Sequence, residues 1–256
     1  MTPVLAFDIE TVPDVAGIRR LYGLPADLPD REVAEVAFQK RRTQTGSDFL
    51  GPQLHCVVVI SCVLRDDEGI RIFSLEEPEA DAIRRFYDGI RKYVPQLVSW
   101  NGGGFDLPVL NYRALVHGIE APQFWDTGEA NRDFRYNNYV NRYHERHLDL
   151  MDVLAMYQPR NNAPLDDVAQ LAGLPGKIGI GGAAVWETYL AGDLARIRDY
   201  CEADTANTYL LFLRFQLLRG IFSRDVFRKE MAILKKYLQN QNKAHWREFL
   251  ERWNDS

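Results

Sequence analysis

Four acids and a tyrosine in this chain have the types and spacing to do chemistry. Asp8 and Glu10 stand two residues apart at the end of the apolar run 4–9. If that run is a strand, its period of two puts both carboxylates on one face. Like charges this close repel, and neither is stable unpaired in an apolar setting. A divalent cation that favours hard oxygen ligands, Mg²⁺ or Mn²⁺, resolves both problems. Taken alone, the pair is better described as two acids facing water at a strand end. Asp106 follows Asn101-Gly-Gly-Gly-Phe105. Aspartate is a preferred helix N-cap and Pro108 suits a first turn, so capping accounts for Asp106 by itself. It accounts less well for three glycines at a strand end, where a missing Cβ lets backbone approach a ligand closely, at the edge where α/β folds build their sites. Asp204 lies three residues after Cys201 on the apolar stripe of a long helix, with Tyr200 one turn earlier on the same face. A buried acid there needs a partner, and a core Arg or Tyr serves that need as well as a ligand does.

The elements that must hold these residues follow from apolar periodicity. Residues 4–9 predict a buried strand ending in a Pro-containing turn, and the β-branched run 56–64 predicts another. Turn residues at 66–69 and alternation over 70–75 predict a hairpin. Helical spacing marks 79–93, followed by a strand over 96–101 and a helix over 106–117. Residues 148–154 read as a strand or a strand-to-helix junction. Helices are then expected over 165–172, 184–190 and 194–219, the last long and amphipathic, with one or two more over 224–253. Strands alternating with helices predict α/β, and the hairpin makes the sheet mixed. There is no repeat and no Pro-, Gly- or Ser-rich linker, so one domain is expected over 1–220 with a C-terminal helical extension over 221–256. Segments 14–54 and 129–147 look like insertions beside a site.

Composition narrows the function classes. The chain has 256 residues, 46% of them hydrophobic and 26% charged, enough for a full core without staples. Cys56, Cys62 and Cys201 are odd in number and lack ligand spacing, so they read as apolar core residues in a reducing, cytoplasmic compartment. No basic leader precedes the first strand, and no apolar run is long enough to span a membrane. The balance of 31 basic against 36 acidic residues, a formal charge of −5, argues against a basic nucleic-acid coat protein.

Phe7-Asp8-Ile9-Glu10-Thr11, Asn101-Gly-Gly-Gly-Phe105-Asp106 and Tyr200-Cys-Glu-Ala-Asp204 resemble the three motifs of the DEDD superfamily of 3′-5′ exonucleases. The Tyr-x-x-x-Asp spacing is similar to the DEDDy branch, which includes the proofreading domain of family-B DNA polymerases. The sister branch carries a histidine five residues before the last Asp. Asp199 stands there in this chain, and the long helix has no His. Leu165-Asp-Asp-Val-Ala, Gly173-Leu-Pro-Gly-Lys-Ile-Gly-Ile-Gly and Arg198-Asp-Tyr-Cys-Glu resemble more specifically the stand-alone family of predicted PolB-like 3′-5′ exonucleases, from residue 4 to about 220.

The resemblance implies a ribonuclease-H-like fold, a mixed five-stranded sheet flanked by helices. It implies two divalent cations, Mg or Mn: Asp8, Glu10 and Asp204 holding one, Asp8 bridging to a second, and Asp106 helping directly or through water. Tyr200 would orient the attacking water, since an ordinary phenol with a pKa of about 10 is a poor base. Thr11, Asn101 and Phe105 are the expected substrate contacts. The expected partners are 3′ ends of single-stranded or frayed DNA or RNA, with nucleoside 5′-monophosphates as products. About 36 residues follow Gly220, too few for a polymerase domain by size. A non-catalytic nucleic-acid-binding module on the same fold is the alternative, and it would be expected to lack one of the acids.

Lesser features carry two readings each. Phe105 and Trp100 flank the glycine turn and could stack on a base, Trp100 being the better core residue. Arg132, Arg135, Arg142 and Arg146 interleave with Phe134, Tyr136, Tyr139 and Tyr143, which suits a single strand or an insertion packing its own tyrosines. Lys40-Arg41-Arg42 reads as a phosphate contact or a solvated face. Asp149 and Asp152 read as caps or core acids, or as water-mediated contacts to the site. The tail carries Trp residues expected to be exposed. Two bound divalent cations would bring the charge of −5 close to neutral, so the grip on long duplexes should be weak and its salt dependence shallow.

Overall fold

The computed structural model describes residues 2–76 and 78–254; Met1, Glu77, Asp255 and Ser256 lie outside the described residues. Strand β1 (Val4–Pro13) leads to helices α1 (Val15–Tyr22) and α2 (Asp30–Thr45). The hairpin β2 (His55–Asp66) and β3 (Gly69–Leu75) follows, then α3 (Glu79–Tyr93), β4 (Gln96–Ser99), α4 (Asp106–His117) and the single-turn α5 (Pro122–Trp125). Next come β5 (His147–Asp149), α6 (Leu150–Leu154), α7 (Leu165–Leu171), α8 (Val185–Leu190), α9 (Leu194–Leu218), α10 (Arg224–Gln239) and α11 (Ala244–Arg252). The five strands form one sheet in the order β3-β2-β1-β4-β5. β1 is central, antiparallel to β2 and parallel to β4, and β5 is parallel to β4. This is an α/β fold with a mixed five-stranded sheet flanked by helices, consistent with a ribonuclease-H-like exonuclease fold.

Period-two alternation along β1 decides which helix meets which side chain. Leu5, Phe7 and Ile9 pack with Phe86, Ile90, Val109 and Leu110 of α3 and α4. The opposite face carries Ala6, Asp8, Glu10 and Val12. Ala6 packs with Ala203, Ala206 and Leu210 of α9, and Val12 with Ile197, Tyr200 and Cys201. Both acids therefore sit on the face that α9 covers. β1 also runs further than the sequence suggested. A register shift after Glu10 sets Thr11 opposite Val57, leaving Val58 as the extra residue of a bulge. The bulge lets the strand continue through Pro13 in place of the expected turn.

Helix α9 corrects the expectation of amphipathicity. Seventeen of its 25 residues are buried, on all sides of the helix. The sheet covers one side, α7 and α8 a second, and α10 and α11 a third, so no polar face is left. The tail corrects another expectation. Trp246 and Trp253 are buried, and with Leu234, Leu238 and Phe249 they complete the core around α9. Segment 14–54 is helical as expected and has a small core of its own, Ile18, Val33, Ala37, Leu50 and Leu54. No helix among the described residues is long and apolar enough to cross a membrane.

Candidate active site

Asp8, Glu10, Asp106, Tyr200 and Asp204 all line one cavity of about 440 Å³. The middle of β1 supplies the first two, the start of α4 the third, and one buried turn of α9 the last two. The closest ligand atoms of Asp8, Glu10 and Cys201 lie within 4.8 Å of one another. The Cys201 thiol donates to the Asp8 backbone carbonyl (3.5 Å) and carboxylate (3.6 Å). Burial and then the nearby acids push that thiol's pKa well up, which keeps it a hydrogen-bond donor to Asp8.

Asp106 does not cap its helix. Phe105 occupies the N-cap position without a side-chain hydrogen bond. Asp106 is the first residue of α4, and its Oδ1 accepts from the Ile9 N–H of β1 at 3.1 Å. That bond ties α4 to the strand between the two other acids. The glycine turn has a different use from the one expected. The Asn101 and Gly103 N–H groups both donate, at 2.9 Å, to the Asp149 carboxylate. A Cβ on Gly102 would collide with Ser99, and one on Gly104 with Asn101. The glycines let the chain close on Asp149, which also caps α6 through the Asp152 N–H. Asp149 thus anchors the turn, and Asp152 pairs with Arg142 at 2.7 Å.

Electrostatics set these acids apart. Burial, then Asp106, Glu10 and Asp204, push the Asp8 carboxyl well above the usual carboxylate range. Burial, then Asp204 and Asp106, do the same to Glu10, with Lys177 opposing. Burial pushes Asp106 up to about 7 against two backbone hydrogen bonds. It pushes Asp204 up to about 6 against Lys177 and Tyr200. Asp204 Oδ1 is buried without a hydrogen-bond partner among the described residues. Of the residues lining the cavity, Lys177 alone is cationic, 3.9 Å from Asp204. Four clustered carboxylates with one nearby cation and an orphaned oxygen fit divalent cations bound through hard oxygen ligands.

Lys177 was not among the expected site residues; its segment entered the sequence reading only through the family resemblance. Its backbone N–H donates to Asp166 Oδ1 at 2.7 Å, and Asn207 clasps Gly176 from α9 through both N–H and carbonyl. A Cβ on Gly176 would lie 2.6 Å from Asp166 Oδ1. These contacts explain the Leu165-Asp-Asp and Gly-Lys residues: they aim a lysine at the carboxylates. Asp166 eleven residues before Lys177 was the available signal, but no local periodicity links the two.

The expected substrate contacts divide. Asn101 and Phe105 line the carboxylate cavity and a neighbouring one of about 600 Å³. Thr11 lines only the neighbour, its hydroxyl 2.8 Å from His55 Nδ1. His55 Nε2 faces the Leu50 carbonyl, an acceptor, so Nε2 carries the proton and Nδ1 accepts from Thr11. Phe105 meets His55 and Phe49 with ring centroids 5.0 and 5.2 Å apart. Phe49, from the first insertion, was not singled out in the sequence. Trp100 is both core and lining, half-buried with its Nε1 donating to the Ala163 carbonyl. Insertion 129–147 buries two of its aromatics and leaves Tyr136 and Tyr143 exposed. Phe134 and Tyr139 are core, with Arg146 over both rings. Lys40, Arg41 and Arg42 are engaged locally by Tyr22, the Phe49 carbonyl and Asp48.

Residues 47–253 match the family model described as a predicted 3′-5′ exonuclease related to the exonuclease domain of PolB. The chain belongs to this family. Among solved structures it is similar to the family B DNA polymerase of the hyperthermophilic archaeon Pyrobaculum calidifontis, with a TM-score of 0.52 and 19% identity. The match covers 85% of this chain and 25% of the polymerase chain, a likeness of fold. No curated protein sequence matches.

Proposed function

We propose that this member of the PolB-like family is a metal-dependent exonuclease. It hydrolyses phosphodiester bonds from the 3′ end of single-stranded or frayed DNA or RNA and releases nucleoside 5′-monophosphates. The observation that carries the reading is the convergence of four carboxylates, three buried and Asp8 half-buried, short of counter-charge, with a tyrosine on one buried helical turn. Asp8, Glu10, Asp106 and Asp204 would hold two cations, Mg²⁺ or Mn²⁺. When bound, such cations lower the pKa of a coordinated water and stabilise the leaving 3′ oxygen.

The protein's own side chains do the positioning. Burial, then Asp204, Glu10 and Asp8, raise the Tyr200 phenol far above its ordinary pKa. It stays protonated, so it orients the attacking water as a hydroxyl and does not remove its proton. The Lys177 ammonium lies 5.5 Å from the Tyr200 ring centroid and beside Asp204, where it can meet the negative charge of the scissile phosphate. Asn101 and Phe105 border the strand end, Phe105 offering a ring face. Thr11 acts at one remove, through His55. Water adds to phosphorus, the bond from phosphorus to the 3′ oxygen breaks, and that oxygen takes a proton as the 5′-monophosphate departs.

One gel tests this. The protein is given 5′-labelled DNA and RNA, single and double stranded, with Mn²⁺, Mg²⁺ or EDTA, beside Asp204→Ala. A ladder shortening from the 3′ end that requires both metal and Asp204 is expected. Intact strands under every ion would leave only the non-catalytic binding module.

A further inference from the structure

We infer that the groove between the C-terminal end of α9 and helix α10, walled by Trp253, grips the substrate strand upstream of its 3′ end. The inference rests on the exonuclease reading for the identity of the strand. The groove encloses about 620 Å³, and its lining among the described residues includes four cations, Arg214, Arg224, Arg228 and Lys235. Two of them face aromatic rings: Arg214 lies 5.9 Å from the Phe227 centroid and Lys235 5.6 Å from that of Trp253. Basic groups alternating with rings match a single strand of any sequence, whose phosphates and bases are met in turn.

Three observations say that the groove is built for an anion. Arg214 Nε is buried without a hydrogen-bond partner among the described residues. Arg224 is the first residue of α10 and Arg228 lies one turn on, where the helix dipole is already positive and added cations are unfavourable unless an anion joins them. The acid paired with Arg228 is Asp225, 3.8 Å away, both side chains at least 73% exposed, so solvent screens the pair. In a chain of net charge −5, this is a local concentration of positive charge that the total conceals.

The wall of the groove is also fastened to the segment that carries Lys177. Lys177, on the cavity wall, accepts at its backbone carbonyl from Arg252 Nη1 (2.9 Å). The next residue, Trp253, walls the groove. Arg252 also pairs with Glu248 at 2.6 Å, so this link holds the wall in place and adds no free charge. Along α9, ten residues from Asp204 to Arg214 span about 15 Å, several nucleotides at about 3.4 Å or more per phosphate. An acidic protein segment could use the four cations but has no bases to set against the rings of Phe227 and Trp253.

The test is fluorescence anisotropy in EDTA, so that no strand is cut, with labelled single-stranded DNA of 20 and 3 nucleotides over a salt series. Wild type is expected to hold the 20-mer far more tightly than the 3-mer. Arg224→Glu with Arg228→Glu should weaken the 20-mer tenfold or more and flatten the log–log salt slope by about 1.4. Lys229→Glu with Lys236→Glu makes the same charge change on α10 at exposed residues outside the groove, and should cost less than threefold. Equal losses in the two double variants, no loss in the first, or no binding of the 20-mer by wild type would overturn the groove. Equal competition by a poly-glutamate peptide would overturn it in favour of an acidic protein partner. The two readings fail separately. Groove-dependent binding without metal-dependent shortening removes the exonuclease reading alone, and shortening by a protein whose 20-mer affinity ignores the groove removes the groove alone.

Discussion

Two buried acidic centres lie on either side of β1, and they differ in counter-charge. Beside α4, Arg113 bonds Asp14 at 2.6 Å and both oxygens of Glu79 at 2.8 and 2.5 Å, while His117 reaches Glu79 at 2.7 Å. Burial pushes the Asp14 carboxyl up, but the Gly17 hydrogen bond and Arg113 outweigh it and hold it below the usual range. Beside α9, Asp8, Glu10, Asp106 and Asp204 have only Lys177, and all four are pushed up. The first centre carries its own cation and ties α1, α3 and α4 together. On the proposed function, the second would take cations from solution. Counter-charge, more than acidity or burial, separates a structural acid from a ligand.

Several experiments would break or sharpen that contrast. Asp204→Ala should cut turnover on the order of 10³- to 10⁵-fold, because ligands acting as a unit fail together, while raising the melting temperature of the metal-free protein. Single-turnover kinetics and calorimetry check both signs, and a metal-free variant less stable than wild type would show that Asp204 has a structural partner after all. Arg113→Met should do the reverse. It leaves Asp14 and Glu79 buried without their cation, at a cost of about 3–5 kcal/mol in urea denaturation, with two-site metal titration preserved in the folded fraction. Tyr200→Phe should lower turnover by roughly 10²- to 10³-fold, the size of one lost orienting donor, with metal affinity unchanged. Unaltered turnover would remove Tyr200 from the mechanism.

The smallest effect is the dependence of stability on pH. Asp106 and Asp204 sit near 7 and 6 in the fold against an ordinary 3.8. Between about pH 4 and 7 the metal-free folded state therefore binds more protons than the unfolded state, and its stability falls as pH rises through that window. Asp14 has the opposite sign: its contribution is complete above the ordinary carboxylate range and is lost as pH falls through its depressed value. Melting temperature without metal should be a few degrees higher near pH 5.5 than near pH 8, about the size of a ΔΔG near 1 kcal/mol. Saturating Mn²⁺ should abolish the difference. A slope that survives Mn²⁺ would assign it to acids outside the site.

The site was legible where its signal was local. Asp8 and Glu10 share a face because a strand has a period of two, and Tyr200 and Asp204 share one because a helix turn spans four residues. Contacts distant in sequence left no such trace. Asp106 reads locally as a cap, yet its carboxylate bonds Ile9, 97 positions away. The glycine turn suggests a ligand, yet it closes on Asp149. Lys177 and Phe49 reach their cavities through loops fastened by partners from other segments.

By itself, the sequence determined the order of elements, the alternating faces of β1 and the residue types that could hold a cation. Each follows from short-range geometry repeated every two or 3.6 residues. Only the tertiary structure decided which acids keep a counter-charge, why α9 has no polar face, and that the tail's tryptophans complete the core. Those outcomes depend on which long-range neighbours remove water from a side chain and which return a charge to it. That is a property of packing, and no spacing along the chain encodes it.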